Sequence, residues 1–278
     1  MYAGKILFKG IDSFLTNYYY QLRFIKGERN GMVLGSPIAV GNTAEIYLYE
    51  NRIIKVFKDY LPKSEALYEA TKQNIVYKSG LFVPKIVDVR EINGKPAIVM
   101  EYIKGKTIGE LLYENMEEAE YYMTLSVEVH QNIHSKSGES FEPMAEKLSR
   151  QIHAAPILQL DQKKTLIKRL ELLSVDNKLC HGDFHFYNLI VSDNKVAIID
   201  WVDASGGSRC ADVYRTYLLL SQVSVKMADL YVSLYCEKSG LEKEEIFQWA
   251  PIIAGARLSE NVTTERQERL LKIVNHNE

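Results

Sequence analysis

No apolar run in this sequence approaches the length needed to cross a bilayer, so no membrane span is expected. The first residues, Met1-Tyr2-Ala3-Gly4-Lys5, lack the apolar stretch of a secretion signal. Cysteine is scarce. Cys180, Cys210 and Cys236 are odd in number and widely spaced, which excludes a disulfide framework and any metal or redox spacing. They are expected as reduced core residues of a cytoplasmic protein. An excess of one charge is also missing. Thirty-four Lys and Arg stand against 36 Asp and Glu, a net charge of −2, which argues against nucleic acid or another polyanion as partner. There is no internal repeat and no low-complexity tract. What remains is 278 residues, 46% hydrophobic and 25% charged, an ordinary globular composition with room for one or two domains. Oligomeric state is left open.

The informative stretch is His181-Gly182-Asp183-Phe184-His185-Phe186-Tyr187-Asn188, followed by Ile198-Ile199-Asp200-Trp201. Two short apolar runs, Leu189-Ile190-Val191 and Val196-Ala197-Ile198-Ile199, flank the turn Ser192-Asp193-Asn194-Lys195 and predict a hairpin. Asp183, Asn188 and Asp200 would then sit on one rigid unit. Phosphoryl transfer from ATP needs three such groups. One carboxylate orients the attacking hydroxyl and takes its proton, while an amide oxygen and a second carboxylate hold magnesium. The plain alternative is that Asp183 and Asn188 form turns and Asp200 caps a strand.

The pattern H-G-D-x-H-x-x-N followed by I-D resembles the aminoglycoside phosphotransferase and choline kinase-like enzymes, small-molecule relatives of the protein kinases. The resemblance implies an α+β, bilobal, protein kinase-like fold. Residues 1–103 would form a nucleotide-binding N-lobe, an antiparallel sheet plus one helix, with an N-terminal extension over about 1–30. Residues 104–278 would form a mostly helical C-lobe with the catalytic loop and acceptor site. The pattern along the chain agrees. Met32–Val40 and Ala44–Tyr49 predict a hairpin, Asn51-Arg52 a turn, and Ile53–Phe57 a strand. A helix is predicted from about Glu65 to Ser79, ended by Gly80. Strands follow over Val83–Val89 and Ala97–Ile103, joined at Asn93-Gly94. Beyond Gly105 the reading is helical: Ile108–Met116, Glu117–Ser135, Phe141–Ala154, Leu160–Leu173, Ala211–Ser224, Met227–Lys238, Glu242–Glu260 and Thr264–Val274. Pro251 breaks the seventh of these. The aromatic, mildly basic residues 1–30 suit either a membrane-surface or regulatory segment or, the preferred reading, an extension packed against the N-lobe.

By the same resemblance Lys55 contacts the ATP phosphates, and Glu69, chosen over Glu65, is its carboxylate partner. Lys58 is the rival lysine, set aside because an odd offset in a strand points it to the other face. Gly41-Asn42-Thr43-Ala44 occupies the phosphate-covering turn, where Asn42 and Thr43 either cap the γ-phosphate or simply form a polar turn. Met100-Glu101-Tyr102-Ile103 would be the hinge, with Met100 as gatekeeper and the Glu101 carbonyl and Ile103 amide on the adenine edge. Backbone contacts of this kind leave GTP open beside ATP.

Asp183 is the candidate base, and Asn188 and Asp200 the candidate magnesium ligands, because magnesium prefers oxygen. His181 and His185 read as structural. His130 and His134 have helical i,i+4 spacing, but Gln131 follows the first where a zinc helix has glutamate, so packing is the preferred reading. Asp212 matches a family aspartate that bonds to the catalytic-loop backbone. Asp203 and Glu260 are candidate acceptor contacts, each with an ordinary alternative, a turn aspartate and a solvated helix face. The expected activity is transfer of the γ-phosphoryl group to a hydroxyl of a small molecule: an aminoglycoside-like antibiotic, a choline-like alcohol, a sugar or an amino-alcohol. The charges near the C-terminus do not favour a polycation. A protein kinase is the first alternative, but Asp200-Trp201-Val202 stands in place of D-F-G, and little chain separates Asp200 from Asp212. A silent nucleotide-binding regulator is the second, although Lys55, Asp183, Asn188 and Asp200 are all present.

Overall fold

The computed structural model describes residues 34–41, 43–260, 262 and 265–275. The N-terminal extension, residues 1–30, and Asn42 lie outside the described residues. The chain forms two compact units. One comprises the residues up to Ala70 with Ile86–Tyr102; the other comprises Thr71–Lys85 and everything from Ile103 on.

The first unit is a five-stranded antiparallel sheet. Its strands are β1 (Ala39–Val40), β2 (Ala44–Tyr49), β3 (Arg52–Phe57), β4 (Ile86–Ile92) and β5 (Lys95–Glu101), in the spatial order β1-β2-β3-β5-β4. Two tight turns set the register. Glu50-Asn51 and Asn93-Gly94 each place both central residues at positive φ, the geometry that matches strand twist. The first turn lies one residue earlier than the sequence suggests, so Arg52 is already paired with Tyr49. Alternation along β3 divides the unit's apolar side chains. Ile54 and Val56 join Ile92, Ala97 and Val99, while Phe57 joins Ala66, Ala70, Ile98 and Met100. Helix α1 (Ser64–Lys78) supplies Ala66 and Ala70. It is followed by Gly80 at φ +85°, a conformation that stops a helix.

Two predicted strands shift. Residues expected as strand from Val83 stay unpaired until Ile86, because Pro84 has no N–H to give a ladder. The Pro84 carbonyl instead accepts from Gln73 Nε2 at 2.7 Å. Strand β5 begins at Lys95, directly after the turn, and ends at Glu101 rather than Ile103.

The second unit is helical around small sheets. In order come β6 (Lys106–Thr107), α2 (Ile108–Glu114), α3 (Ala119–His134), α4 (Met144–Ala154), α5 (Leu160–Leu172), β7 (Lys178–Cys180), β8 (Leu189–Ser192), β9 (Lys195–Ile198) and β10 (Ser205–Gly207). Helices α6 (Arg209–Leu220), α7 (Val225–Ser239), α8 (Lys243–Phe247), α9 (Ala250–Arg257) and α10 (Gln267–Asn275) complete it. Helix α2 starts where Thr107 and Glu110 close a reciprocal capping box. Pro251 lies in the first turn of α9, where its missing N–H costs nothing, so the expected break falls just before it. The core closes around Trp201, Trp249, Tyr231, Tyr235, Phe184 and Met123. Among the described residues no helix is long and apolar enough to cross a membrane.

Candidate active site

Strand β7 delivers the chain into His181-Gly182-Asp183, and the hairpin β8–β9 carries it back to Asp200. Pairing of Leu189 with Ile198, and the bond from Ile199 N to Asn188 O at 3.0 Å, sets Asn188 beside the segment entering Asp200. Gly182 is at φ +82°, and a Cβ there would meet the Asp203 carbonyl oxygen at 2.5 Å. Both the backbone and the space therefore require glycine. Asp200 is at φ +63°, unusual for a residue with a side chain.

Asp212, on α6, holds the loop. Its carboxylate accepts from His181 N at 2.6 Å and from Gly182 N at 2.8 Å. The same group faces His130 Nε2 at 3.0 Å and His134 Nε2 at 3.2 Å, two rings one turn apart on α3. The other nitrogen of each ring meets a phenol, His130 with Tyr231 and His134 with Tyr235. Burial drives the His130 pKa down to about 3, against the pull of Asp212, so this ring is neutral. His130 therefore donates from Nε2 and accepts the Tyr231 hydroxyl at Nδ1. His130, His134 and Asp212 stand close enough together to hold a metal ion. Their facing atoms are already committed to one another and to the loop, so the cluster is read as a closed hydrogen-bond network. Burial also lowers the His181 pKa. Its Nδ1 accepts from Asp183 N at 3.2 Å, and its Nε2 donates to Ile199 O at 3.0 Å, fixing one neutral tautomer.

Asp183 is thus placed by backbone on both sides. Burial by itself would raise its carboxyl, but the His185 hydrogen bond and the Arg215 guanidinium outweigh it and hold the group well below the usual carboxylate range. The two partners lie at 3.4 Å and 3.6 Å. Asn188 is buried, and its Nδ2 donates to Asp183 O at 2.9 Å. That orientation leaves the amide oxygen for a cation. Asn188 Oδ1 and the Asp200 carboxylate are the hard oxygen donors that suit magnesium.

Three further side chains converge here that sequence reasoning did not place at the site. Arg215 sits one turn after Asp212 on α6, so both face the loop. Arg215 Nε donates to Gly182 O at 3.2 Å, and its Nη2 donates to Glu260 Oε2 at 3.0 Å. The i,i+3 spacing from Asp212 was the available signal. Arg257 also binds Glu260, and Lys147 Nζ donates to the Asp203 carbonyl at 2.5 Å and carboxylate at 2.8 Å. Lys147 reads in sequence as one more polar residue of an amphipathic helix. Glu260, expected from sequence as a contact for a cationic or hydroxyl-rich acceptor, is thus the shared partner of two arginines. Asp203 and Glu260 line one cleft with Gly182, Lys147, Arg215 and Arg257.

In the first unit, Lys55 Nζ lies 2.6 Å from Glu69 Oε1, and both side chains are largely buried. The strand-parity argument against Lys58 does not reach that residue, because β3 ends at Phe57. Lys58 N instead closes the turn by donating to Thr43 O at 2.9 Å. Thr43 is exposed in the turn between β1 and β2. Met100 and Glu101 end β5, Met100 buried in the sheet's core and Glu101 opposite Arg52. Ile103, in the second unit, is buried just past that strand.

Comparison with solved structures finds the same fold at low identity. An aminoglycoside phosphotransferase, APH(4)-Ia, aligns with a TM-score of 0.65 at 13% identity, over 96% of this chain and 98% of that one. An aminoglycoside-3'-phosphotransferase of type VIII aligns at 0.58 and 16%, over 91% and 98%. The amicoumacin kinase hAmiN, solved with AMP-PNP, Ca2+ and Ami, aligns at 0.60 and 14%, over 94% and 91%. No curated protein sequence matches. The family model described as the phosphotransferase enzyme family matches residues 36–247, a span from the sheet of the first unit through the β8–β9 hairpin and Asp212 to α8. With that match over most of its length, the chain belongs to the phosphotransferase enzyme family.

Proposed function

We propose that this enzyme transfers the γ-phosphoryl group of ATP to a hydroxyl of a small molecule seated beside Asp183. The observation that carries the reading is the catalytic loop. Asp183 is an ionised carboxylate aimed by His185 and Arg215, with Asn188 bonded to its backbone and Asp200 brought alongside by the β8–β9 register. The acceptor oxygen attacks the γ-phosphorus. The new P–O bond forms as the bond to ADP breaks, and the hydroxyl proton passes to Asp183. A carboxylate of depressed pKa is a weak base, so its work is chiefly to orient the hydroxyl and to accept the proton late, as a loose transition state allows. Asn188 and Asp200 would hold magnesium, which neutralises phosphate charge. Lys55, ordered by Glu69, is assigned to the phosphates, Thr43 to the phosphate-covering turn, and Met100, Glu101 and Ile103 to the adenine.

Against a protein kinase, the residues after Asp200 run straight into β10, which pairs with β7, and then into α6. No activation segment intervenes. The test is magnesium-dependent ADP release with a pool of hydroxyl compounds, with GTP as a second donor. Asp183→Asn should lower turnover by about 10²–10⁴-fold while ATP affinity stays within a few-fold. Near-normal turnover by that variant would remove Asp183 from the chemistry.

A further inference from the structure

The cleft beside Asp183 is not acidic. Lys147 from α4, Arg215 from α6 and Arg257 from α9 enter its lining, against Asp203, Asp212 and Glu260. The three carboxylates are already engaged. Asp212 is held by two backbone N–H groups and two histidines. Glu260 Oε2 takes both Arg215 and Arg257. Asp203 takes Lys147. The cations are less fully used. Lys147 has three donors and places two of them on Asp203. Arg257 is nine-tenths buried, and its Nε has no hydrogen-bond partner. The nearest acid on that side, Glu265, is 3.7 Å away and is itself bonded to Arg269 and Gln222.

From this arrangement we infer that the acceptor carries an oxyanion, a carboxylate or a phosphate monoester, in addition to the hydroxyl that receives the phosphoryl group. The inference rests on the phosphotransferase reading above. An oxyanion entering the cleft would meet the third donor of Lys147 and draw on the Arg257 guanidinium, whose Nε otherwise faces Glu265 at 3.7 Å. A polycation would meet three side-chain cations, and the carboxylates there, Asp203 and Glu260, already pair with those cations. The charge pattern thus selects by repulsion as well as by attraction. Arg215 joins the two ends of such a molecule, because it touches both the base Asp183 and the Glu260–Arg257 pair.

The full chain is tested in two assays. One measures ADP release with Mg-ATP. The other measures calorimetric binding in the presence of AMP-PNP. Both use matched compounds: hydroxy carboxylates of sugars, the same molecules as primary amides, polyol phosphate monoesters, and aminoglycosides. The expected result is at least about a tenfold advantage of an oxyanion over its neutral partner, in affinity and in kcat/KM. Lys147→Met and, separately, Arg257→Gln should cut that advantage to less than about threefold, with the ATP KM little changed. Whichever anion leads identifies its source, carboxylate or phosphate. Amides or aminoglycosides that bind as well as the oxyanions, an advantage unaltered in both variants, or no oxyanion binding at all would each overturn the inference. ADP release driven by an aminoglycoside would do so while leaving the transferase reading intact. Oxyanion binding that depends on Lys147 and Arg257, without ADP release from any compound, would instead sink the transferase reading.

Discussion

Lys55 and Lys58 lie three residues apart, and their surroundings differ sharply. Lys55 is buried against Glu69 and sits over the Phe57 ring, whereas Lys58 belongs to the turn beyond β3. Lys55→Ala should therefore lower kcat/KM for ATP by roughly tenfold or more, and Lys58→Ala by less than about twofold, in steady-state kinetics. The reverse order would move the phosphate contact to Lys58. Arg215→Lys keeps a charge but loses the planar fork that serves Gly182, Asp183 and Glu260 together. It should reduce kcat about 10–100-fold with little change in ATP KM. At this scale the sequence was legible where chemistry is local. Asp183, Asn188 and Asp200 share one loop and hairpin, so spacing alone places them together. Lys147, Arg215 and Arg257 come from three separate helices, and no spacing in the chain announces that they converge. Glu260 could be named from sequence, but its occupation by Arg215 and Arg257 together could not.

Among the elements, long periodic stretches were readable and short pairings were not. Helices α3, α4, α5 and α7 fall within a few residues of their predicted ends, because an apolar stripe repeated over several turns identifies itself. Strands β6, β7 and β10 have two or three residues each, too few to show alternation. Yet β7 and β10 matter most, since their pairing brings Asp203 against Gly182. Gly182→Ala tests that junction. Positive φ and the Asp203 carbonyl both oppose a methyl group, so the variant should lose about 1–3 kcal/mol of stability in denaturant titration. Turnover should fall further than stability explains, because the displaced peptide carries Asp183. A variant of full stability and full activity would mean that the loop relaxes freely.

For the molecule as a whole, the buried histidines tie stability to pH. His130 has a folded pKa of about 3 against 6.5 in an exposed chain. Below pH 6.5 the unfolded chain takes up a proton that the folded chain refuses, so stability falls as pH is lowered, and it keeps falling until about pH 3. The loss from His130 should approach about 1.4 kcal/mol at pH 5.5. His181, also lowered by burial, acts with the same sign. Asp212 lies well below its ordinary value, so its contribution is present above the usual aspartate range and is lost only as pH falls further, toward its own depressed pKa. Urea titrations followed by the fluorescence of buried Trp201 and Trp249 at pH 7.5 and 5.5 would read the difference. His130→Gln, although less stable at neutral pH, should show a flatter slope between them. An identical slope would show that the ring is not the proton-linked group.

The left-handed backbone of Asp200 sets two selections against each other. Glycine is the residue that such a φ accommodates best, and most others would strain it by about 1 kcal/mol or more. The proposed magnesium role, however, asks for a carboxylate at that same place. A library randomised at position 200 and sorted for folding should return glycine and asparagine. The same library sorted for phosphoryl transfer should return aspartate. On the proposed metal role, a change at this position would silence the enzyme without unfolding it, so loss of catalysis here is open to drift in a way that loss of Gly182 is not.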